Sequence, residues 1–316
     1  MSSLFTNSTQ PYSKGNVSLH ISPTDTAEFT VWIVVTIIVG LGGSFTNFSL
    51  LLIAWPRRGG RKSGLNFQLL HFIAINLIIC LINIPLSVII VTLKHKSIYP
   101  LRPDVCDFVY PPYLVGNVLV YWCDAGLTVN RCIALCFPYR YRKWSSPAVN
   151  LAMIAGYWIV SVSGVVIFTQ PSVGAANNFL STLGLCNLMP TGRLGTFFVA
   201  ILYYVPYAIT GCGVLLIAFK TFSIARWRRQ VIPRALEMEP PTSIALPQLA
   251  TQRRVRMAQM LLVTLLVSAV CAAPNYFLSL RHRLGPGQTG MAELWARTFN
   301  LLQYGFAPVG YGRTRR

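Results

Sequence analysis

The chain is 316 residues long, 53% hydrophobic and only 11% charged, with a mean hydropathy of +0.52. A water-soluble domain carries about a quarter charged residues, so a soluble globule is excluded. The formal net charge of +19 raises nucleic acid as a partner, and the placement of the charges decides against it, as shown below.

Residues 1–28 read as a polar tail with no apolar core. No cleavable signal peptide is expected there, and the first helix is expected to direct membrane insertion. Asn7 in "NST" and Asn16 in "NVS" are glycosylation sequons, which fit an extracellular tail. Seven apolar segments follow, at 29–55, 67–93, 108–137, 149–170, 197–219, 257–280 and 293–312. Each reaches roughly the 18 residues a helix needs to cross the bilayer core. Helix is the expected form because lipid offers backbone N–H and C=O groups no partner. A β-barrel would alternate polar and apolar residues, and "WIVVTIIVGL" does not. The fold class is therefore all-α, a bundle of seven transmembrane helices.

Loops 56–66, 138–147 and 220–256 with the last four residues hold eighteen Lys and Arg, against eight on the opposite side. Basic loops stay cytoplasmic. The amino terminus is thus expected outside and the carboxyl terminus inside, in a multi-pass protein of the plasma membrane. The excess positive charge is a topological bias that also favours anionic inner-leaflet lipid, and no nucleic acid partner is expected. The third cytoplasmic loop, about 220–256, reads as flexible around "EMEPPTSIALPQ", and 313–316 as a short basic end.

Of eight cysteines, only Cys106 and Cys186 fall on the oxidising side. A disulfide between them would pin the loop before span five over the bundle, the alternative being two unpaired thiols. The histidines are scattered and no metal-ligand spacing or nucleophile–base pair is seen, so neither an enzyme, a metal nor a cofactor is expected. His71 reads as a structural hydrogen-bonder.

Charged groups at bilayer depth are costly and are functional hypotheses by default. Span three carries Asp124 and, seven residues on, Arg131. That spacing is two helical turns, so the two share a face about 10 Å apart along the axis. Taken alone, Arg131 is equally an arginine whose long stem reaches out to fix topology. Its setting says more. Cys106 precedes Arg131 by 25 residues, the local triplet is Asn130-Arg131-Cys132, and Pro138 follows. Further landmarks are Asn47, Asn76 with Pro85, Trp158, Pro206, Cys271 with Pro274, and Pro308 with Tyr311. In order and spacing this set resembles the rhodopsin-like G-protein-coupled receptors over 29–312.

That resemblance implies a two-state bundle in which an outside ligand favours a form that opens an inner cleft for a heterotrimeric G protein. Arg131 would be the inner-face latch, Tyr311 would swing inward on activation, and Pro206, Pro274 and Pro308 would permit helix bending. The chain departs from the family pattern in several places. Asn130 stands for the acid that would hold the latch, so the idle state should be weaker by a charge-assisted contact and ligand-independent signalling elevated. Ala272 stands for a tryptophan, Ala307 for an asparagine, and Val214 for a tyrosine. Asn76 stands for the acid of the family's sodium site. Asp124 either compensates in part or stands protonated and hydrogen-bonded. Five residues follow Tyr311, so the family's membrane-surface helix, palmitoylation cysteine and phosphorylatable tail are not expected.

For the ligand pocket, span three offers Tyr110, Tyr113 and Asn117, and later spans Tyr203, Tyr204, Asn275, Trp295, Phe299 and Asn300. Tyr113 stands where amine receptors carry an acid, so the ligand is expected to be non-aminergic: neutral, lipid-like or a peptide. Span seven has no lysine for a retinal Schiff base, which excludes an opsin. Pro111 and Pro112 are expected to delay or kink the start of span three. Two other readings stay open: a receptor-fold binding scaffold that no longer signals, and a channel or transporter with Asn76, Asp124 and Gln303 as its polar pathway.

Overall fold

The computed structural model describes residues 23–55, 64–96, 105–137, 141, 143–180, 184–235, 263, 266–275, 277–278 and 290–312. Span one is the helix Pro23–Ala54, span three Val105–Cys136, span four Pro147–Thr169 and span seven Gly290–Gly312. Span two joins Gly64–Ile78 to Ile84–His95, and span five joins Gly192–Val199 to Val205–Ala235. Span six is described over Leu266–Asn275. Among the described residues, five of the spans are long and apolar enough to cross a membrane, and Leu266–Asn275 is a shorter apolar helix.

Spans two and five are interrupted by the same chemistry. A proline ring clashes with the carbonyl four residues before it and lacks an N–H to bond it. In span two a π-helical turn, Ile79–Asn83, ends two residues before Pro85. In span five the π turn Ala200–Tyr204 ends two residues before Pro206. Each widened turn closes with an i to i−5 bond, Ile84 N–H to Ile79 C=O and Val205 N–H to Ala200 C=O. The carbonyl opposite each ring, Leu81 or Leu202, thus lies inside a loosened turn.

The observed boundaries correct the sequence reading: spans two, five and seven start at Gly64, Gly192 and Gly290, a few residues before the expected 67, 197 and 293. Span one begins at Pro23, within the segment expected to be tail. Span five continues helically to Ala235, so 220–235 is helix and not flexible loop. Span three starts at Val105, ahead of Pro111 and Pro112, and runs through both, so the prolines do not delay it. Span four starts two residues early because Ser146 caps it, its hydroxyl accepting from the Val149 N–H at 3.4 Å.

The connection between spans four and five forms a β-hairpin, with β1 (Ala176–Leu180) antiparallel to β2 (Cys186–Pro190) and Leu180 opposite Cys186. Cys106 and Cys186 are joined in a disulfide that ties β2 to the start of span three. Gly184, at φ +87°, lets the chain pass against span two; a Cβ there would meet the Lys94 Cβ at 2.6 Å.

Polarity is arranged for lipid. Span one turns Ile38, Leu41 and Phe45 outward, while Asn47, Asn76, Asn117, Asn130, Asn150 and Gln303 are buried in the interior. Apolar burial gives little drive between helices that are already in lipid, so close packing and interhelical hydrogen bonds hold the bundle. Small residues supply the packing. Gly43 of span one meets Gly305 of span seven, where an added Cβ would lie 3.4 Å from the partner's Cα. Gly126 of span three accommodates the Tyr157 ring of span four, whose hydroxyl would sit 1.6 Å from a Cβ at that position.

Candidate functional site

Two regions at opposite ends of span three carry the candidate residues. At the hairpin end a small cleft, partly open, lies between spans two, three and seven under the hairpin. Its walls include Asn83 and Ile90 of span two, Tyr110 and Tyr113 of span three, Leu185 beside the disulfide, and Arg297 of span seven. The two tyrosine rings are 6.0 Å apart. The cleft thus gathers Tyr110 and Tyr113 from the expected pocket and leaves the other members elsewhere. Asn117 lies deeper, accepting a 2.6 Å bond from the Tyr304 hydroxyl. Tyr203 packs its ring 5.7 Å from Tyr121. Trp295 donates to Glu28 at 3.1 Å and packs with the span one cluster of Phe29 and Trp32. Tyr204 and Phe299 are each half exposed on the outside of the bundle. Asn275 is half-buried near the end of the described part of span six.

Arg297 was missed in the sequence reading because it was counted among loop charges. Its position five residues inside an apolar segment was the available signal.

Between the two ends runs a set of buried amides and hydroxyls. Tyr304, with no exposed surface, joins span seven to span three through Asn117 and to span one through its carbonyl, which accepts from Asn47 at 3.0 Å. Gln303 donates to Asn300 within span seven at 3.1 Å. Asn76 donates to the Phe72 carbonyl at 2.8 Å, and its Oδ1 has no hydrogen-bond partner. A sodium ion there would meet one amide oxygen where the family places a carboxylate. Among the described residues, no three His, Cys, Asp or Glu converge on a metal position. The residues present do not fit the ion. His71 ties three spans: its Nε2 accepts from the Trp158 indole at 2.9 Å, and its Nδ1 lies 3.3 Å from the Cys123 sulfur. With Nε2 accepting, the ring proton of neutral His71 sits on Nδ1 and faces that sulfur.

At the far end of span three, Asp124 and Arg131 are both half-buried. Asn130 is 6% exposed, and its Nδ2 donates to Gln68 Oε1 of span two at 3.2 Å and Asn150 Oδ1 of span four at 3.1 Å. Asn150 in turn donates to the Ser146 carbonyl at 2.9 Å. The residue expected only as a missing acid is the centre of a three-span amide clamp. Cys132 reaches the Gly213 carbonyl of span five at 3.3 Å. Pro308 and Tyr311 lie in the helix of span seven, and their side chains fall outside the described residues, as does that of Pro138. Pro274 is half-buried in span six. Asn7 and Asn16 also lie outside the described residues.

A bundle of membrane helices with a partly open cleft at one end, a disulfide-bound hairpin beside it and an arginine at the other end of span three defines an integral membrane protein of receptor architecture. The sequence matches the model of the 7 transmembrane receptor (rhodopsin family) over residues 46–304. The chain belongs to that family. The crystal structure of squid rhodopsin superposes with a TM-score of 0.73 at 16% identity, covering 92% of this chain and 84% of that one. That likeness shows the fold. No curated protein sequence matches the chain. Family and fold are those of receptors, which are not enzymes.

Proposed function

We propose that the protein is a plasma-membrane receptor that converts binding of an extracellular ligand, in the cleft under the hairpin, into activation of a heterotrimeric G protein at the Arg131 end. The observation that carries this reading is the shared helix. Span three contributes Tyr110 and Tyr113 to the cleft, Asn117 to the buried network, and Asn130 and Arg131 to the opposite end. A ligand that favours one packing of span three in the cleft therefore favours one packing at its far end. Conversion between two packings needs helices that can bend, and the π turns before Pro85 and Pro206 supply loosened points.

In this reading the hairpin faces the outside, with Asn7 and Asn16 glycosylated, and the basic ends of spans three and five face the cytosol. Asn130 has no charge to pin Arg131, so the idle state is held by packing and by the amide clamp, and basal activity is elevated. The pocket lacks an acid at Tyr113, which disfavours amines. Pro274, Pro308 and Tyr311 take the bending and inward-swinging roles that the family resemblance implies.

The test is guanine-nucleotide exchange on a panel of G proteins by the purified protein in lipid nanodiscs. Exchange above that of empty nanodiscs is expected. Ion flux through the reconstituted protein, or the absence of exchange on every G protein tested, would replace this reading with transport or with a silent scaffold.

A further inference from the structure

Arg297 lies within the apolar run of span seven, its side chain 19% exposed. Its Nη2 donates to the Cys186 carbonyl at 3.1 Å and to Oδ1 of Asn187. Asn187 donates in turn to Glu293 Oε1 at 2.7 Å, and that oxygen is 3.7 Å from Arg297 Nη2. A gap of 3.7 Å is an ion pair beyond hydrogen-bond distance. A guanidinium has five N–H donors in a rigid fork, and every one of these contacts leaves from Nη2. The hydrogens on Nε and Nη1 are not used by them. Span seven is thereby stitched to the hairpin, which fixes the orientation of the fork.

The cleft gives the remaining donors a purpose. Arg297 is the one charged side chain that lines it among the described residues, and Glu293 is not part of its wall. The rest of the lining is uncharged: the aliphatic Leu86, Ile90, Val109 and Leu185, the phenols of Tyr110 and Tyr113, and the neutral polar Asn83 and Ser87. We infer that the cleft takes a ligand with a compact apolar body and a terminal carboxylate, the carboxylate being received by Arg297. This deepens the receptor reading and replaces a neutral ligand with an acidic one. It rests on that reading only for the meaning of binding, since binding is measured without a G protein. Glu293 competes for the same guanidinium, so a ligand carboxylate must share or displace it. The same chemistry is presented by a free small acid and by the carboxyl end of a peptide.

The experiment uses the full chain in nanodiscs and follows its thermal unfolding with two matched probe pairs at millimolar concentration. The first pair is 3-phenylpropionate and its primary amide. The second is N-acetyl-Leu-Phe with a free carboxyl end and the same dipeptide amidated. The acid of at least one pair is expected to raise the unfolding midpoint where its amide does not. The pair that responds identifies a small acid or a peptide end as the source. Arg297→Gln should raise the half-maximal acid concentration about tenfold or more, the effect of losing one charge-assisted contact. Glu293→Gln keeps the acceptor for Asn187 while removing the competing charge, so acid binding should be retained or strengthened. It also serves as the test if Arg297→Gln fails to fold. Equal shifts from acid and amide, no shift from any probe, an acid response intact in Arg297→Gln, or a response weakened tenfold in Glu293→Gln would each overturn the inference.

Discussion

Replacing Asn130 with aspartate restores the acid that the family pattern expects and, in this chain, breaks the amide clamp. Asn130 Nδ2 supplies both hydrogens that hold Gln68 Oε1 and Asn150 Oδ1. A carboxylate has none to give, so it would face two amide oxygens at a site that is 6% exposed. Each lost bond is worth about 0.5–1.5 kcal/mol, and a stranded buried acceptor costs about 1–3 kcal/mol. Some of this is recoverable. Gln68 can turn its NH₂ toward the carboxylate at the loss of a 3.4 Å contact to the Met153 sulfur. Asn150 can do so only by giving up its 2.9 Å bond to the Ser146 carbonyl. One partner re-pairs and the other does not, which leaves a net destabilisation of about 2 kcal/mol. Thermal unfolding of the purified protein should therefore rank wild type above Asn130→Asp. A double-mutant cycle between Asn130→Ala and Asn150→Ala should show a coupling of about 1 kcal/mol. An Asn130→Asp protein as stable as wild type, with lower basal nucleotide exchange, would refute the clamp and favour a simple latch of the introduced carboxylate on Arg131.

Other substitutions probe the packing and the covalent tie. Gly126→Ala places a methyl 1.6 Å from the Tyr157 hydroxyl and 2.5 Å from the ring carbon bearing it. It should lower the yield of folded protein sharply, with recovery in the Gly126→Ala/Tyr157→Leu double variant on size-exclusion chromatography. Tyr304→Phe removes the bond to Asn117 without changing shape. It should cost about 1–2 kcal/mol in thermal unfolding, and no loss would deny that bond a part in holding spans three and seven. Cys106→Ala opens a link between residues 80 apart in sequence. A closed loop of that length is worth at most about 4.5 kcal/mol, and cell-surface labelling of the variant should fall well below wild type.

The bundle was legible because lipid simplifies the code. Apolar runs such as "WIVVTIIVGL" have one stable backbone solution in a bilayer, and only two cysteines fell where oxidation is possible. Span ends were less legible, since a helix does not stop where the apolar run stops. Span five continues to Ala235 through Arg226, Arg228 and Arg229 because arginine is a good helix former, and the first proline after Pro206, Pro233, comes only in its last turn. Pro206 was expected to permit a bend and Pro85 was only a landmark, and the widened turns before both depend on three-dimensional backbone relaxation. In the pocket, sequence could not assign helical faces, so Tyr204 and Phe299 were grouped with residues they do not meet. Arg297 was hidden by a count that treated every outer cation as loop. The clamp was hidden by analogy: comparison with the family described Asn130 by what it lacked, while its partners at 68 and 150 are remote in sequence.

The central claim is that span three links the cleft to a transducer through Arg131, and it is tested most directly by removing that guanidinium alone. Purified wild type and Arg131→Ala, matched for thermal stability, should be compared in nucleotide exchange on the G protein that responds best. The account predicts basal exchange by wild type and a fall to the empty-nanodisc rate in Arg131→Ala. Equal exchange by both proteins would contradict it.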